Sequence, residues 1–287
     1  MLKAVVTIGC GAAMVAAAVL AVRFRHTRRT PSPLSGGEPF GERLAVTVSR
    51  AGGMLVGAYL AGVLTIGAGA RLMMRVLAAT SSDDVQGLLT EADETIGEVS
   101  VGGSLFLVVG TGIGTAVVGL GLFSLVRRWL PDRSPAAGLV GVAIGAGLLV
   151  RPAGLLTSAN RDFTLVAPVA LAVALCLVTL VLFGATFGVL VDRFASRWPR
   201  PGWSARGVLS VLPFALLAPV PPLLAATVIG VLAGTVAPSL RSPAARDRSV
   251  QPPVEGAGAR RGRVLVMGLG GLGTCSIVVA AGQVLAL

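Results

Sequence analysis

The chain has 287 residues, of which 54% are hydrophobic and 13% charged, with a formal net charge of +11. Soluble domains carry about 25% charged residues, so this composition excludes an ordinary water-soluble domain and points to a chain that lives in lipid. The positive charge is almost all arginine, 23 of the 24 basic residues. No aromatic-interleaved basic platform accompanies it, so its expected partners are anionic headgroups of the lipid bilayer, not nucleic acid.

Seven stretches contain no Asp, Glu, Lys, Arg or His: 4–22, 51–70, 99–126, 134–150, 163–191, 207–240 and 264–287. Each reaches the ~17 residues a helix needs to cross the hydrocarbon layer. Backbone groups find no water there, so each segment must bond within itself. A β-barrel would show alternation over about ten residues, and runs such as "VALAVALCLVTLVLFGATFGVLV" show none. The pattern predicts an all-α polytopic transmembrane bundle of about seven helices, at 4–22, 48–72, 101–126, 135–150, 163–191, 207–237 and 264–286. They form a single integral membrane domain over 1–287.

The first run ends in "VRFRHTRR", and four arginines directly after a span hold that end in the cytoplasm. The 19-residue run is long for a signal peptide and basic residues after it oppose cleavage, so it reads as a retained span with an outside N-terminus. Residues 24–43, with "TPSPLSGGEP" at their core, read as a flexible cytoplasmic linker. Residues 71–100 read as an outer loop with short helices. There Arg71 and Arg75 continue the second helix, Thr80 to Ser82 end it, and Thr90 caps a short surface helix. The 127–133 loop is then inside with three Arg, 151–162 outside with two, and 192–206 inside with four. Trp129, Trp198 and Trp203 all flank the inside loops, at the headgroup level that indole favours.

One loop disagrees. The sixth run is 34 residues long and broken by Pro213, Pro219, Pro221 and Pro222. If it is a kinked single crossing, the plainer reading, the C-terminus is inside and the six Arg of 241–263 are outside. Thirteen arginines then lie inside against ten outside. If it is a re-entrant hairpin buried among other spans, the loop moves inside and the tally becomes nineteen against four. Residues 239–262 are Arg- and Pro-rich and lean toward disorder.

Motifs for chemistry are sparse. "RVLVMGLGGLG" places Gly268, Gly270 and Gly273 in a G-x-G-x-x-G pattern, but only fourteen uncharged residues follow. A dinucleotide site needs a helix, a second strand and an acid about 20 residues on. The better reading is a glycine-rich helix face that admits a neighbouring backbone. Gly53/Gly57, Gly110/Gly114 and Gly141/Gly145 are G-x-x-x-G pairs, read first as intramolecular packing and second as a dimer seam. No ionisable residue lies inside the seven runs, which argues against proton relays and charged cargo. There is no H-E-x-x-H or G-x-S-x-G, and the single histidine, His26, lies among arginines. Cys10, Cys176 and Cys275 are far apart in apolar runs and read as small buried hydrophobes. No catalytic, metal or cofactor residues are expected.

The remaining polar cluster is on the predicted outer surface. Arg71 and Arg75 are placed to pair with Glu91, Asp93, Glu94 or Glu98, while Arg151, Asn160, Arg161 and Asp162 share that side. The simple reading is a lid of exposed salt bridges, each worth little. The functional reading is a site for a polar ligand or a periplasmic partner.

Across "GAGARLMMRVLAATS", "LTEADETIGEVSVGGSLF", "RRWLP" and "NRDF", the chain resembles a group of uncharacterised multi-spanning membrane proteins of high-GC Gram-positive bacteria. The resemblance covers about residues 60–200 and implies a bacterial cell-membrane protein, with no activity or site residues to carry over. The first span and the 24–43 linker look like an addition to that pattern. The expected function is non-enzymatic, acting through lipid, a membrane protein partner or a homo-oligomer. The alternative is a channel or carrier for an uncharged small solute, suggested by the proline-broken sixth run.

Overall fold

A computed structural model describes residues 2–26, 39–88, 95–96, 98–149, 168–199, 212–215 and 257–286. The described residues form an all-α bundle. Its long helices are α1 (Leu2–Arg23), α2 (Phe40–Thr80), α3 (Val101–Val126), α4 (Ser134–Leu149), α5 (Val169–Arg197) and α6 (Ala257–Leu285). All but α4 are long and apolar enough to cross a membrane. Of the sixth expected span, only the helical turn Leu212–Ala215 is described; the rest of 207–237 lies outside the described residues.

Several boundaries move. α2 begins at Phe40, inside the expected 24–43 linker, and runs unbroken to Thr80, so the first ten residues of the expected 71–100 loop are helix. It is 41 residues long and contains a π-helical segment, Val63–Gly67. Thr80 to Ser82 end it as expected, with Ser81 turning to extended backbone. A single 3-10 turn follows at Asp83–Val85, and the chain then folds back so that Ile96 exchanges backbone hydrogen bonds with Gly87 and Leu88. Of the stretch expected to form a helix after Thr90, residues 95, 96 and 98 are described and are not helical, and the rest lies outside the described residues. α6 begins at Ala257, which takes the last residues of the expected 239–262 loop into helix.

α5 is the hub. It packs against α2 and α4 most extensively, and also against α1 and α6. From Phe183 to Asp192 its residues are buried almost without break, which a helix tolerates only when neighbours surround it. Phe187 meets Phe183 and Phe123 edge-on, with ring centroids 5.3 and 5.5 Å apart. α6 shows the opposite pattern. Val266, Gly270, Gly273, Ala280 and Val284 are buried at intervals of three, four or seven residues, a narrow stripe, while Leu265, Leu272 and Val278 are exposed.

Glycine sets how closely the helices approach. A Cβ on Gly62 would overlap the Gly112 carbonyl, one on Gly67 the Val108 carbonyl, and one on Gly138 the Gly184 carbonyl. The second contact joins the π segment of α2 to a second π segment, Phe106–Thr111 of α3, and the first lies at their edge. Gly53 and Gly57 face the α5 backbone at Phe194 and Leu190, and Gly141 and Gly145 face Phe123 and Leu122, so these pairs pack within the molecule as expected. Gly110 and Gly114 do not pack against another helix of the molecule: Gly114 looks into open space and Gly110 meets only Phe106 of its own helix. The G-x-G-x-x-G stretch is helix. Gly273 lies against Ala143 and Gly147, while Gly268 meets nothing.

Neighbour contacts fix the direction of each helix. α2 runs antiparallel to α5, since Gly53 meets Phe194 while Gly69 meets Thr179. α3 is antiparallel to α2, and α4 to α5, where Gly188 meets Ser134 and Gly184 meets Leu139. α1 is parallel to α5: Thr186 Oγ1 donates to the Ala17 carbonyl at 3.3 Å, and Arg193 lies over the Phe24 ring. α6 is parallel to α4, because Gly262 meets Trp129 and Gly273 meets Ala143. Leu2 and Leu285 therefore lie at the same end of the bundle. The sequence left two threadings open: a single crossing of the sixth run would put them at opposite ends, and a re-entrant hairpin at the same end. The ends of α1, α3 and α5 and the starts of α2, α4 and α6 gather at the other end. Of the fourteen arginines among the described residues, all but Arg71 and Arg75 belong to it.

Candidate functional site

Two charged sites are built into the bundle, one near each end. At the arginine-rich end, α3 finishes in the 3-10 turn Arg127–Trp129. This turn carries Arg127 back over the bundle, where Nη2 donates to the Asp192 carboxylate on α5 and Nη1 contacts the Met54 sulfur on α2 at 3.3 Å. The Arg127 side chain is 14% exposed and that of Asp192 1%. One charge pair thus ties three helices. The second Asp192 oxygen, Oδ2, has no hydrogen-bond partner. At the same end, Ser49 Oγ donates to the Trp198 carbonyl at 2.8 Å, Trp198 leans on Phe194, and Arg127 faces the Phe123 ring. The sequence reading placed Arg127 and Asp192 in loops and did not pair them. The signal was present: Asp192 directly follows 29 uncharged residues, where an acid needs a partner.

At the opposite end lie Arg71 and Arg75, one helical turn apart on α2. Arg71 is 4% exposed, and its Nε and Nη2 have no hydrogen-bond partner. Arg75 is half-buried. Arg71 was expected in a lid of exposed salt bridges; it is instead inside the bundle. α1 lies beside it: the buried Cys10 is within electrostatic reach of the Arg71 charge, and Met14 meets α2 at Gly69, two residues before Arg71. Thr179 of α5 closes the same side of α2. The other members of the expected cluster, Glu91, Asp93, Glu94, Arg151, Asn160, Arg161 and Asp162, lie outside the described residues, so the structure brings together only Arg71 and Arg75.

The three cysteines are free and far apart. Cys10 is buried, Cys176 half-buried and Cys275 exposed, so the reading of all three as buried hydrophobes fails for Cys275. α6 buries only a narrow stripe, and Cys275 lies off it. Among the described residues, no group of three or more His, Cys, Asp or Glu is placed to hold a metal ion.

What the arrangement offers chemically is therefore charge. One buried pair is satisfied on one oxygen, and one buried guanidinium has its donors unmet. No protein-family model matches the chain, and no curated protein or solved structure matches it.

Proposed function

We propose that the chain is a non-enzymatic integral membrane protein of the bacterial cell membrane that acts through the lipids and proteins packed around its helices. The observation that carries this is the outward apolar surface of helices long enough to span. Val5, Ile8, Val15 and Val19 of α1 and Val264, Leu265, Leu272 and Val278 of α6 are exposed, with no charged residue among them. An apolar surface of that extent needs hydrocarbon or a partner against it. The bacterial location follows from the resemblance and from arginine use. The non-enzymatic reading follows from a sequence without a catalytic set.

In this reading the arginine-rich end faces the cytoplasm, by the rule that Lys and Arg are retained inside. Both termini are then outside. α5 arrives at the cytoplasmic end and α6 departs from it, so the connection returns to the side it left. This favours the tally of nineteen arginines inside against four. The carrier alternative drew on the proline-broken run, of which only Leu212–Ala215 is described, whereas helices in backbone contact at glycines favour an assembling bundle.

Two measurements test the proposal. Membranes washed in alkaline carbonate should keep the full-length protein in the pellet; release into the wash would end the membrane reading. Native mass spectrometry of protein extracted in its own lipid should show retained lipid, a second copy or another chain. A bare single copy would end the partner reading.

A further inference from the structure

We propose that Arg71 is the receptor for a phosphate group, carried by a membrane phospholipid, that docks between α1 and α2 at the end of the bundle away from the arginine cluster. This rests on the membrane reading above and names its ligand class.

Nε–H and the neighbouring Nη2–H form one edge of the guanidinium, two near-parallel donors spaced to grip two oxygens of a single oxyanion. In Arg71 that edge, and not a scattered pair of atoms, is buried without a partner among the described residues. Arginine cannot escape by losing its proton, as a buried lysine can. A buried, uncompensated charge is strongly unfavourable, and a bidentate anion removes both the charge and the unmet donors together.

Depth selects the anion. Arg71 lies seventeen residues beyond Met54, which touches Arg127 at the other end. At the rise of an α-helix that is about 25 Å, against a hydrocarbon core of about 30 Å. Arg71 is thus near the level of the opposite headgroups, where phosphate is abundant. Arg75, one turn further out, adds a second positive charge beside the path.

α1 is suited to opening. Of the α1 residues, only Cys10 and Ala17 are buried, so α1 is the most weakly held of the long helices. Met14, whose thioether abuts Gly69, can change shape without losing contact. Acyl chains would run down the exposed flank of α1 while the phosphate meets Arg71.

The test uses full-length protein, delipidated in detergent, as wild type, R71K and R71M. Thermal unfolding is followed with dioleoyl phosphatidylglycerol, with dioleoylglycerol (the same chains without phosphate) and with inorganic phosphate. Phosphatidylglycerol should raise the wild-type Tm by several degrees and dioleoylglycerol should not. R71K, keeping the charge but not the fork, should bind about tenfold more weakly, and R71M should not respond. Without lipid, R71M should be at least as stable as wild type, because it removes an unpaired buried charge. If R71M does not fold, the weakened response of R71K carries the test. Inorganic phosphate alone giving the full shift supports the site with free phosphate as its occupant. Equal shifts in wild type and R71M, or no shift with either phosphate probe, overturn it. Carbonate-resistant protein that gives no shift sinks the site alone; protein released by carbonate sinks the membrane reading beneath it.

Discussion

Arg127 at the end of α3 donates to the carboxylate of Asp192 near the end of α5, and the same guanidinium touches Met54 of α2. The pair is a clamp on three helices with almost no water around it. Removing one partner strands the other charge in a buried place, at about 3–5 kcal/mol. Arg127→Met and Asp192→Leu should each lower the Tm sharply, and the double variant should recover most of the loss. A double-mutant cycle in thermal unfolding measures this. Additive single effects would show that the two side chains do not depend on each other.

A glycine seam gives a second, opposed pair of outcomes. Gly62→Ala drives a methyl group into the Gly112 carbonyl, which is backbone and cannot swing aside. Overpacking of this kind destabilises by about 1–3 kcal/mol. Gly114 on the neighbouring helix meets nothing within 4 Å. Gly114→Ala should be neutral or stabilising by up to about 1 kcal/mol, since alanine prefers the helix. Thermal unfolding of the two variants side by side decides it, and equal losses would mean the α2–α3 contact is misplaced.

The contrast between these glycines also shows what the sequence could say. Absence of charge located the helices well: 101–126 was expected and is found, and α1 and α4 fall within two residues at each end. Hydrocarbon tolerates few charges, so such runs are a strong signal. Which glycine faces which neighbour was only half legible. Gly53/Gly57 and Gly110/Gly114 have identical spacing, yet one lines a seam and the other looks outward. Spacing places two residues on one helix face; only the neighbouring helices determine what that face meets. The candidate site was legible to the same degree. Arg71 stood out as basic in an apolar chain, but it is buried beside α1, a helix sixty residues earlier, and no local pattern reports that.

Tyr59, buried in α2, donates its hydroxyl to the Pro213 carbonyl at 3.2 Å. That carbonyl sits in the short Leu212–Ala215 turn, so the hydroxyl ties the turn to α2. Tyr59→Phe keeps the ring and should lose about 0.5–1.5 kcal/mol. Tyr59→Ala, which also empties the ring's space, should lose about 3–5 kcal/mol. If the phenylalanine variant unfolds at the same temperature as the wild type, the hydroxyl is not bonded to Pro213.

Helix direction yields the last prediction. α6 lies parallel to α4, with Gly262 at Trp129 and Gly273 at Ala143. A helix between two antiparallel neighbours can be laid in either direction by hydropathy alone, because its apolar content reads the same both ways. Glycine contacts break that symmetry, since Gly262 and Gly273 must each find a gap at the correct height. In a background with Cys10, Cys176 and Cys275 replaced, single cysteines at Asp84, Arg260 and Ala286 should divide two to one. Those at Asp84 and Ala286 should react with a membrane-impermeant thiol reagent added to intact cells. The one at Arg260 should react only after the membrane is opened. Were Arg260 labelled from outside and Ala286 protected, α6 would run the other way. The contacts that seat Gly262 beside Trp129 and Gly273 beside Ala143 would then have to be abandoned together, since no reversed α6 can satisfy both.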